Sequence, residues 1–437
     1  MAYDMIIGRD KGDREEFGKR GLIYLGKGYV TMGRYTSLSN KIFLDVVRTH
    51  VMLLSGKRGS GKSYTIGVIA EELSDLPKEV SKNIAPIIFD TMGIYWTMKY
   101  KNRKDKELLE DWNLQSKELP VKVFVPEGHY QSHIDEGIPV DEGFALDVSG
   151  MEAEDWILTF GLDLINPTGV LIEKSVQKLK EKGGRFYIDD ILKEIERDER
   201  SEQKTKNAAI SLFEGAQSWG IFAEKGKEPT RIEDLATGGK TTVLDLSVYR
   251  SIGAFNVRGL VISIVSRKLF EQRMEARKKE EINSIVQRFD VTSGQEEKEM
   301  PLIWMFIDEA HEFLPLDEKT VATDSLVQLL REGRQPGISM VLATQQPGKI
   351  HRDVMTQSDI VLSHRVTSEQ DLKALGYIMQ SYMTEGINDY MNNLPDEKGS
   401  AIILDDNSER IYPMRIHPRV SWHGGEAPIA IKRDDEL

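Results

Sequence analysis

Gly56-Lys57-Arg58-Gly59-Ser60-Gly61-Lys62-Ser63 fills every fixed position of G-x-x-x-x-G-K-[ST], and no other feature of the chain restricts its fold so tightly. Such a loop needs a buried strand before it and a helix after it. Val51-Met52-Leu53-Leu54 supplies the strand, and Tyr64 to Leu73 reads as the helix. The requirement is electrostatic: glycines let successive backbone N–H groups turn inward around an anion, and the helix N-terminus adds partial positive charge. Lys62 is expected to reach the β- and γ-phosphates, and the Ser63 hydroxyl to take one position on Mg²⁺. Gly56, Arg58, Gly59, Ser60, Gly61 and Tyr64 complete the expected nucleotide cradle.

From Val51 onward the chain alternates strand and helix patterns, which argues for an α/β domain with a largely parallel sheet. The expected strands are 51–54, 86–89, 121–125, 242–246, 302–307, 339–343, 359–362 and 401–404. Between Pro126 and Gly239 the strand signal disappears. Trp156, Ile157, Phe160 and Leu164, then Ile188, Ile191, Leu192 and Ile195, carry helical spacing instead, so 126–239 reads as a helical insertion. Gly253 to Val286 reads as one long helix, and Thr292 to Glu299 as an exposed loop. Ahead of the phosphate loop, Asp4 to Gly8, Gly21 to Gly26 and Tyr29 to Met32 read as short β pieces. The expected division is a β element over 1–48, an ATPase core over 49–125 and 240–420, the insertion, and a tail over 421–437.

Two further segments carry chemistry. Leu302 to Ile307 is an apolar run ending in Asp308-Glu309, which delivers two carboxylates to the sheet edge where ligands bind in α/β folds. Asp308 is expected to hold Mg²⁺ through water, and Glu309 to polarise the attacking water, because phosphoryl transfer mostly needs positioning and charge stabilisation. Ser339 to Ala343 ends in Thr344-Gln345; Gln345 either senses the γ-phosphate and orients water or satisfies backbone groups. Between these strands Arg331-Glu332-Gly333-Arg334 closes a helix. Either arginine reads as a finger for a neighbour's γ-phosphate or as a cation paired with the helix dipole.

Composition narrows the classes. The chain has 437 residues, 40% hydrophobic and 30% charged, with no apolar run long enough to span a bilayer and no signal-peptide pattern, so a cytoplasmic protein is expected. The absence of cysteine excludes disulfides, thiolate zinc sites and cysteine nucleophiles, and with the high charge fraction it fits a thermophile. A net charge of −13 disfavours an open-faced nucleic-acid surface but not a pore lined with lysine and arginine inside an acidic ring. Lys99 to Lys106 is the most basic stretch near the core, and Lys349, His351 and Arg352 form a smaller group. Each reads as a solvated surface or as a DNA contact. His129 and His133 have metal-site spacing but no ligand cluster around them.

Together these motifs resemble the HerA/FtsK superfamily of ring-forming ATPases, specifically its HerA-like branch, from about Val51 to Ile416. The resemblance rests on the phosphate loop, Ile88 to Tyr95, Asp308-Glu309-Ala310-His311-Glu312-Phe313-Leu314-Pro315, Arg331-Glu332-Gly333-Arg334 and Ala343-Thr344-Gln345-Gln346-Pro347. It implies a RecA-like sheet, ATP and Mg²⁺ as cofactors, Lys62 and Ser63 on phosphate and metal, and Asp308 on Mg²⁺. It also implies Glu309 as base, Gln345 as sensor, Asp90 near the nucleotide, and a finger at Arg331 or Arg334. The partners it implies are duplex DNA through the pore of a homo-hexamer and a nuclease or other effector, in repair or anti-phage defence. Two features depart from the family. Ile94 stands where an acidic residue is common, and the loop begins so early that the expected N-terminal barrel is truncated or rebuilt. Asp308 to His311 also spells the box of a superfamily-2 helicase, but the residues after His311 complete the same sheet instead of building a second RecA-like domain. A regulatory ring that licenses an effector and a packaging or conjugation pump are the rival functions.

Overall fold

In the computed structural model, residues 3–32, 35–163, 165–250, 255–289, 300–378 and 386–425 are described. Thirteen strands form one sheet: β1 Met5–Ile7, β2 Leu22–Met32, β3 Tyr35–Asp45, β4 Val51–Ser55, β5 Ile84–Asp90, β6 Val121–Pro126, β7 Glu142–Phe144, β8 Thr241–Asp245, β9 Leu302–Ile307, β10 Ile338–Thr344, β11 Ile360–His364, β12 Ser400–Asp405 and β13 Arg410–Ile416. Their spatial order is β1-β3-β2-β13-β12-β11-β4-β10-β9-β5-β8-β6-β7. From β11 to β7 every pairing is parallel. Within that half, β11-β4-β10-β9-β5 is the RecA-like core, with β10 lodged between the phosphate-loop strand and the carboxylate strand.

Burial on both faces explains the near-continuous apolar strands. Along β9, Ile303, Met305 and Ile307 enter one core, and Trp304 and Phe306 the other. The second face is covered by Ile66, Val68, Ile69 and Leu73 of the helix Lys62–Ser74. Over the first lies the helix Phe255–Phe289, through Leu260, Val261, Ile264 and Leu269. At about 1.5 Å per residue, its 35 residues span roughly 50 Å. Gly253, the expected start of that helix, and the expected loop 292–299 lie outside the described residues.

The insertion's helices, among them Ala153–Thr159, Pro167–Lys182, Ile188–Glu196 and Gln203–Gln217, pack on the first face around Trp156, Phe213 and Ile191. One strand does occur there, correcting the expectation of none. Three-residue β7 runs parallel to β6 at the sheet edge and is too short to leave a period in the sequence. The N-terminal pieces also differ from expectation. Residues 22–32 form one strand interrupted by register shifts, paired with the unanticipated β3, and the pair continues the sheet through β13. A short helix, Lys11–Phe17, lies between β1 and β2, where no helix is expected from the sequence.

A buried polar network fastens this N-terminal hairpin to the ATPase sheet. His50 Nδ1 lies 2.6 Å from Asp359 Oδ2 and its Nε2 lies 3.5 Å from Asp45 Oδ2, while Arg9 Nε donates to Asp45 at 2.8 Å. Burial alone would depress the imidazole, but the two carboxylates outweigh it and raise His50 to about 9. The folded pKa exceeds the unfolded value near 6.5, so the stabilisation is complete below pH 6.5 and lost as pH rises through 9. The shift corresponds to a contribution on the order of 3 kcal/mol. Urea unfolding between pH 6 and 10 is expected to show wild-type stability falling across that window, with a flatter profile for His50→Gln. Equal slopes in the two proteins would refute the role of His50.

Candidate nucleotide site

The phosphate loop joins β4 to the helix Lys62–Ser74, and its backbone geometry demands glycine. Gly56 has φ +154°, and a Cβ there would lie 2.8 Å from the Cβ of His364; Gly59 and Gly61 have φ +74° and +111°. Lys62 is buried, and its Nζ donates to the carbonyls of Gly56 (2.9 Å) and Lys57 (3.3 Å). Burial lowers its pKa, and Glu309 and Asp308 oppose that shift. Ser63 Oγ donates to Asp308 Oδ2 at 2.5 Å, so the two expected metal residues already touch. Arg58 and Gly59 are exposed at the loop's tip.

At the end of β9, Glu309 occupies a left-handed backbone conformation, φ 51° and ψ 42°, a strained geometry for a side-chain-bearing residue. Gln345 Nε2 donates to its Oε1 at 3.1 Å, while its buried Oε2 has no hydrogen-bond partner among the described residues. Burial first and Asp308 second push this carboxyl up to about 7, against the pull of Lys62. A carboxylate oxygen and a Ser60 hydroxyl without hydrogen-bond partners among the described residues, and a buried lysine resting on loop carbonyls, are what a triphosphate, its metal and a water would satisfy. The donor set fits MgATP.

Lys62, Ser63, Asp308, Glu309 and Gln345 therefore meet in one place. Asp90 does not point there. Its carboxylate accepts N–H groups from Met92 (3.0 Å), Gly93 (2.7 Å), Ile94 (2.7 Å) and Tyr95 (2.8 Å), while burial and neighbouring Asp245 push it up to about 7. The turn it organises places the Tyr95 hydroxyl 3.4 Å from Asp308 Oδ2 and 3.3 Å from the Ser63 carbonyl, so Asp90 reaches the site through Tyr95. Tyr64 is occupied as well: its hydroxyl accepts the Arg419 N–H at 2.6 Å and its ring meets His423 edge-on.

Arg331 and Arg334 lie at the opposite edge of the sheet. They precede the first residue of β10, and Thr49, just before β4, donates to the Arg334 carbonyl at 3.3 Å. Seven residues of β10 at about 3.3 Å each put roughly 20 Å between them and Gln345. Arg331 pairs with Asp353 at 2.7 Å, and both arginines are exposed. Of the basic run, Lys99 pairs with Asp141, Lys101 with Glu118 and Lys106 with Glu110, while Lys104 lies over the Trp422 ring. Lys349 and Arg352 are exposed. His133 donates to the His129 carbonyl at 2.9 Å, and no group of three or more metal-ligating side chains occurs among the described residues. No described helix is long and apolar enough to cross a membrane.

The family model described as "Helicase HerA, central domain" matches residues 30–267, more than half of the chain. The chain belongs to that family. It is a HerA-like ATPase. The DNA double-strand break repair helicase HerA of Pyrococcus furiosus is 25% identical over 257 residues, 56% of this chain and 42% of that protein, so the match spans less than half the relative's length. Its counterpart in Sulfurisphaera tokodaii is 21% identical over 398 residues, covering 86% of this chain and 67% of that one. VirB4 of Thermoanaerobacter pseudethanolicus shares the fold at a TM-score of 0.54 and 12% identity, covering 91% and 96% of the two chains.

Three features of this HerA-like site left no local mark in the sequence. His364, at the end of β11, lies beneath the phosphate loop: its Nδ1–H donates to the Ser400 carbonyl (3.0 Å) and Nε2 takes the Thr65 hydroxyl (2.9 Å). Burial lowers it to about 4, so it remains neutral. Tyr95 reaches the Asp308 carboxylate from the turn that Asp90 organises. Residues 417–424 close over the loop's helix, where Arg419 and Glu71, both fully buried, pair at 2.7 Å and Val420 N donates to Glu71 at 2.9 Å. The Arg419 guanidinium lies where a side chain at Gly67 would begin.

Proposed function

We propose that this chain is the motor subunit of a ring that couples ATP hydrolysis to movement of duplex DNA. The observation that carries this reading is the division of the machinery between the two sheet edges. Phosphate grip, metal residues, base and sensor share one edge; the exposed arginines occupy the other, out of reach of their own pocket and open to a neighbour. Lys62 and the loop N–H groups hold the phosphates, and Ser63 and Asp308 would hold Mg²⁺, which supplies charge neutralisation on the phosphate oxygens. Glu309 accepts the proton of the attacking water, and Gln345 orients that water. The names of the HerA relatives support DNA as the substrate, and a six-membered ring with a nuclease or other effector partner in repair or defence is the corresponding assembly.

A second reading, a ring that licenses an effector without translocation, is favoured by the acidic neighbours of Lys99, Lys101 and Lys106, which offset part of the positive charge of the most basic stretch near the core. Steady-state ATP hydrolysis with and without linear duplex DNA, on protein sized by light scattering, separates the two. The motor is expected to be a ring whose turnover rises severalfold with DNA. A ring indifferent to DNA would select the second reading, and a monomer with full activity would eliminate both.

A further inference from the structure

We infer that His311 is a positioning residue for Glu309, locked in place from the exit of β10. The inference rests on the proposed role of Glu309 as base. Glu309 is held on one side only by a firm hydrogen bond, Gln345 Nε2 to Oε1. Its other oxygen faces His311, whose Nδ1 stands 3.6 Å away. That separation is too long for a hydrogen bond but short enough for the ring to limit where the carboxylate can swing.

The imidazole is itself fixed. Thr344 Oγ1 lies 3.2 Å from Nδ1, and the Gln346 side-chain amide lies 3.5 Å from Nε2. Thr344 Oγ1 also accepts the Gln346 backbone N–H at 3.0 Å, so the two contacts on the ring belong to one turn. Burial lowers the pKa of His311, and Lys62 adds to the effect, so the ring is a neutral donor and acceptor instead of a competing cation in the pocket. Glu309 needs such support. Its left-handed backbone is sustained by its own N–H to Asp308 Oδ1 (2.9 Å) and by its carbonyl accepting from Glu312 N (2.9 Å). These bonds fix the main chain and leave the carboxylate's direction to Gln345 and His311. Misplacing a catalytic group by about 1 Å can cost 10²-fold in rate.

The experiment compares His311→Ala, His311→Gln, Gln346→Ala and the double variant His311→Ala/Gln346→Ala for kcat, KM, affinity for a non-hydrolysable ATP analogue and thermal midpoint. His311→Ala is expected to lower kcat about 10- to 100-fold with analogue affinity within about twofold. His311→Gln, which keeps a donor and an acceptor, should recover part of that loss. Gln346→Ala should lower kcat severalfold, and the double variant should fall no further than His311→Ala, because the two residues act in series. Gln346→Ala, altering only a half-buried side chain, carries the test should His311→Ala not fold. Unchanged kcat in both single variants, or parallel losses of affinity, thermal midpoint and kcat without rescue by glutamine, would overturn the inference. Additive losses would overturn it too. Normal turnover by Glu309→Gln would instead remove the base, and the inference with it.

Discussion

Glu309→Gln is expected to bind ATP and scarcely hydrolyse it, while Lys62→Ala loses binding altogether. The contrast follows from where the two side chains sit. Lys62 is buried inside the loop and rests on the carbonyls of Gly56 and Lys57, so its ammonium is already placed to transfer to phosphate oxygens. Removing it takes away the one cation the loop provides from within. Glu309 contributes nothing to that grip. Its Oε2 is buried with no hydrogen-bond partner among the described residues, and burial with Asp308 beside it makes the carboxyl a better proton acceptor than an exposed glutamate. Glutamine keeps the shape and the contact with Gln345 but cannot take a proton. A positioned base is worth roughly 10²–10⁴ in rate. Steady-state phosphate release, together with the thermal shift induced by MgATP, reads both halves. Near-normal turnover by Glu309→Gln would strip it of the role of base, and an intact thermal shift in Lys62→Ala would remove Lys62 from the grip.

The residues of this pocket were legible because parallel α/β sheets impose a local rule: the functional group follows the last apolar residue of the strand. Leu54 is followed by Ser55-Gly56, Ile307 by Asp308 and Ala343 by Thr344-Gln345. Sequence also carried the strand–helix alternation and the long helix, since both rest on periods within one element. What it could not carry was contact between distant segments. His364 lies two residues past the expected strand 359–362, and nothing marks it until β11 is seen beside β4. Arg419 and Glu71 are 348 residues apart, and nothing near either says that they pair without solvent. Asp90 shows the same limit in another form. The motif marks the position, but not that its carboxylate accepts four backbone N–H groups and so organises the turn bearing Tyr95. Short β7 and the bulged β2 escaped because one has too few residues for a period and the other breaks its own.

Mixed rings are expected to recover activity that neither parent has, and the recovery assigns the finger. Arg331 and Arg334 stand roughly a strand's length from their own Gln345, so neither reaches the pocket of its own subunit. A ring changes this, because the exposed edge of one subunit can face the nucleotide edge of the next. A Lys62→Ala subunit is dead at its own pocket but keeps its arginines; an Arg331→Ala or Arg334→Ala subunit keeps its pocket but offers no finger. At a junction where the intact pocket meets the intact finger, hydrolysis should resume. The finger's contribution, roughly 10³–10⁵ in rate, makes even a minority of such junctions measurable above the parents. Arg331 begins with a competing tie to Asp353 at 2.7 Å, exposed on the arginine side, and exposed pairs of this kind hold by about 0–1 kcal/mol. That is too little to keep the guanidinium from a triphosphate, so the ion pair does not favour Arg334 by default. Rescue with one arginine variant only would make that position the finger and leave the other to its helix end. No rescue with either, in rings shown by native mass measurement to be mixed, would end the assignment of a trans finger to this turn.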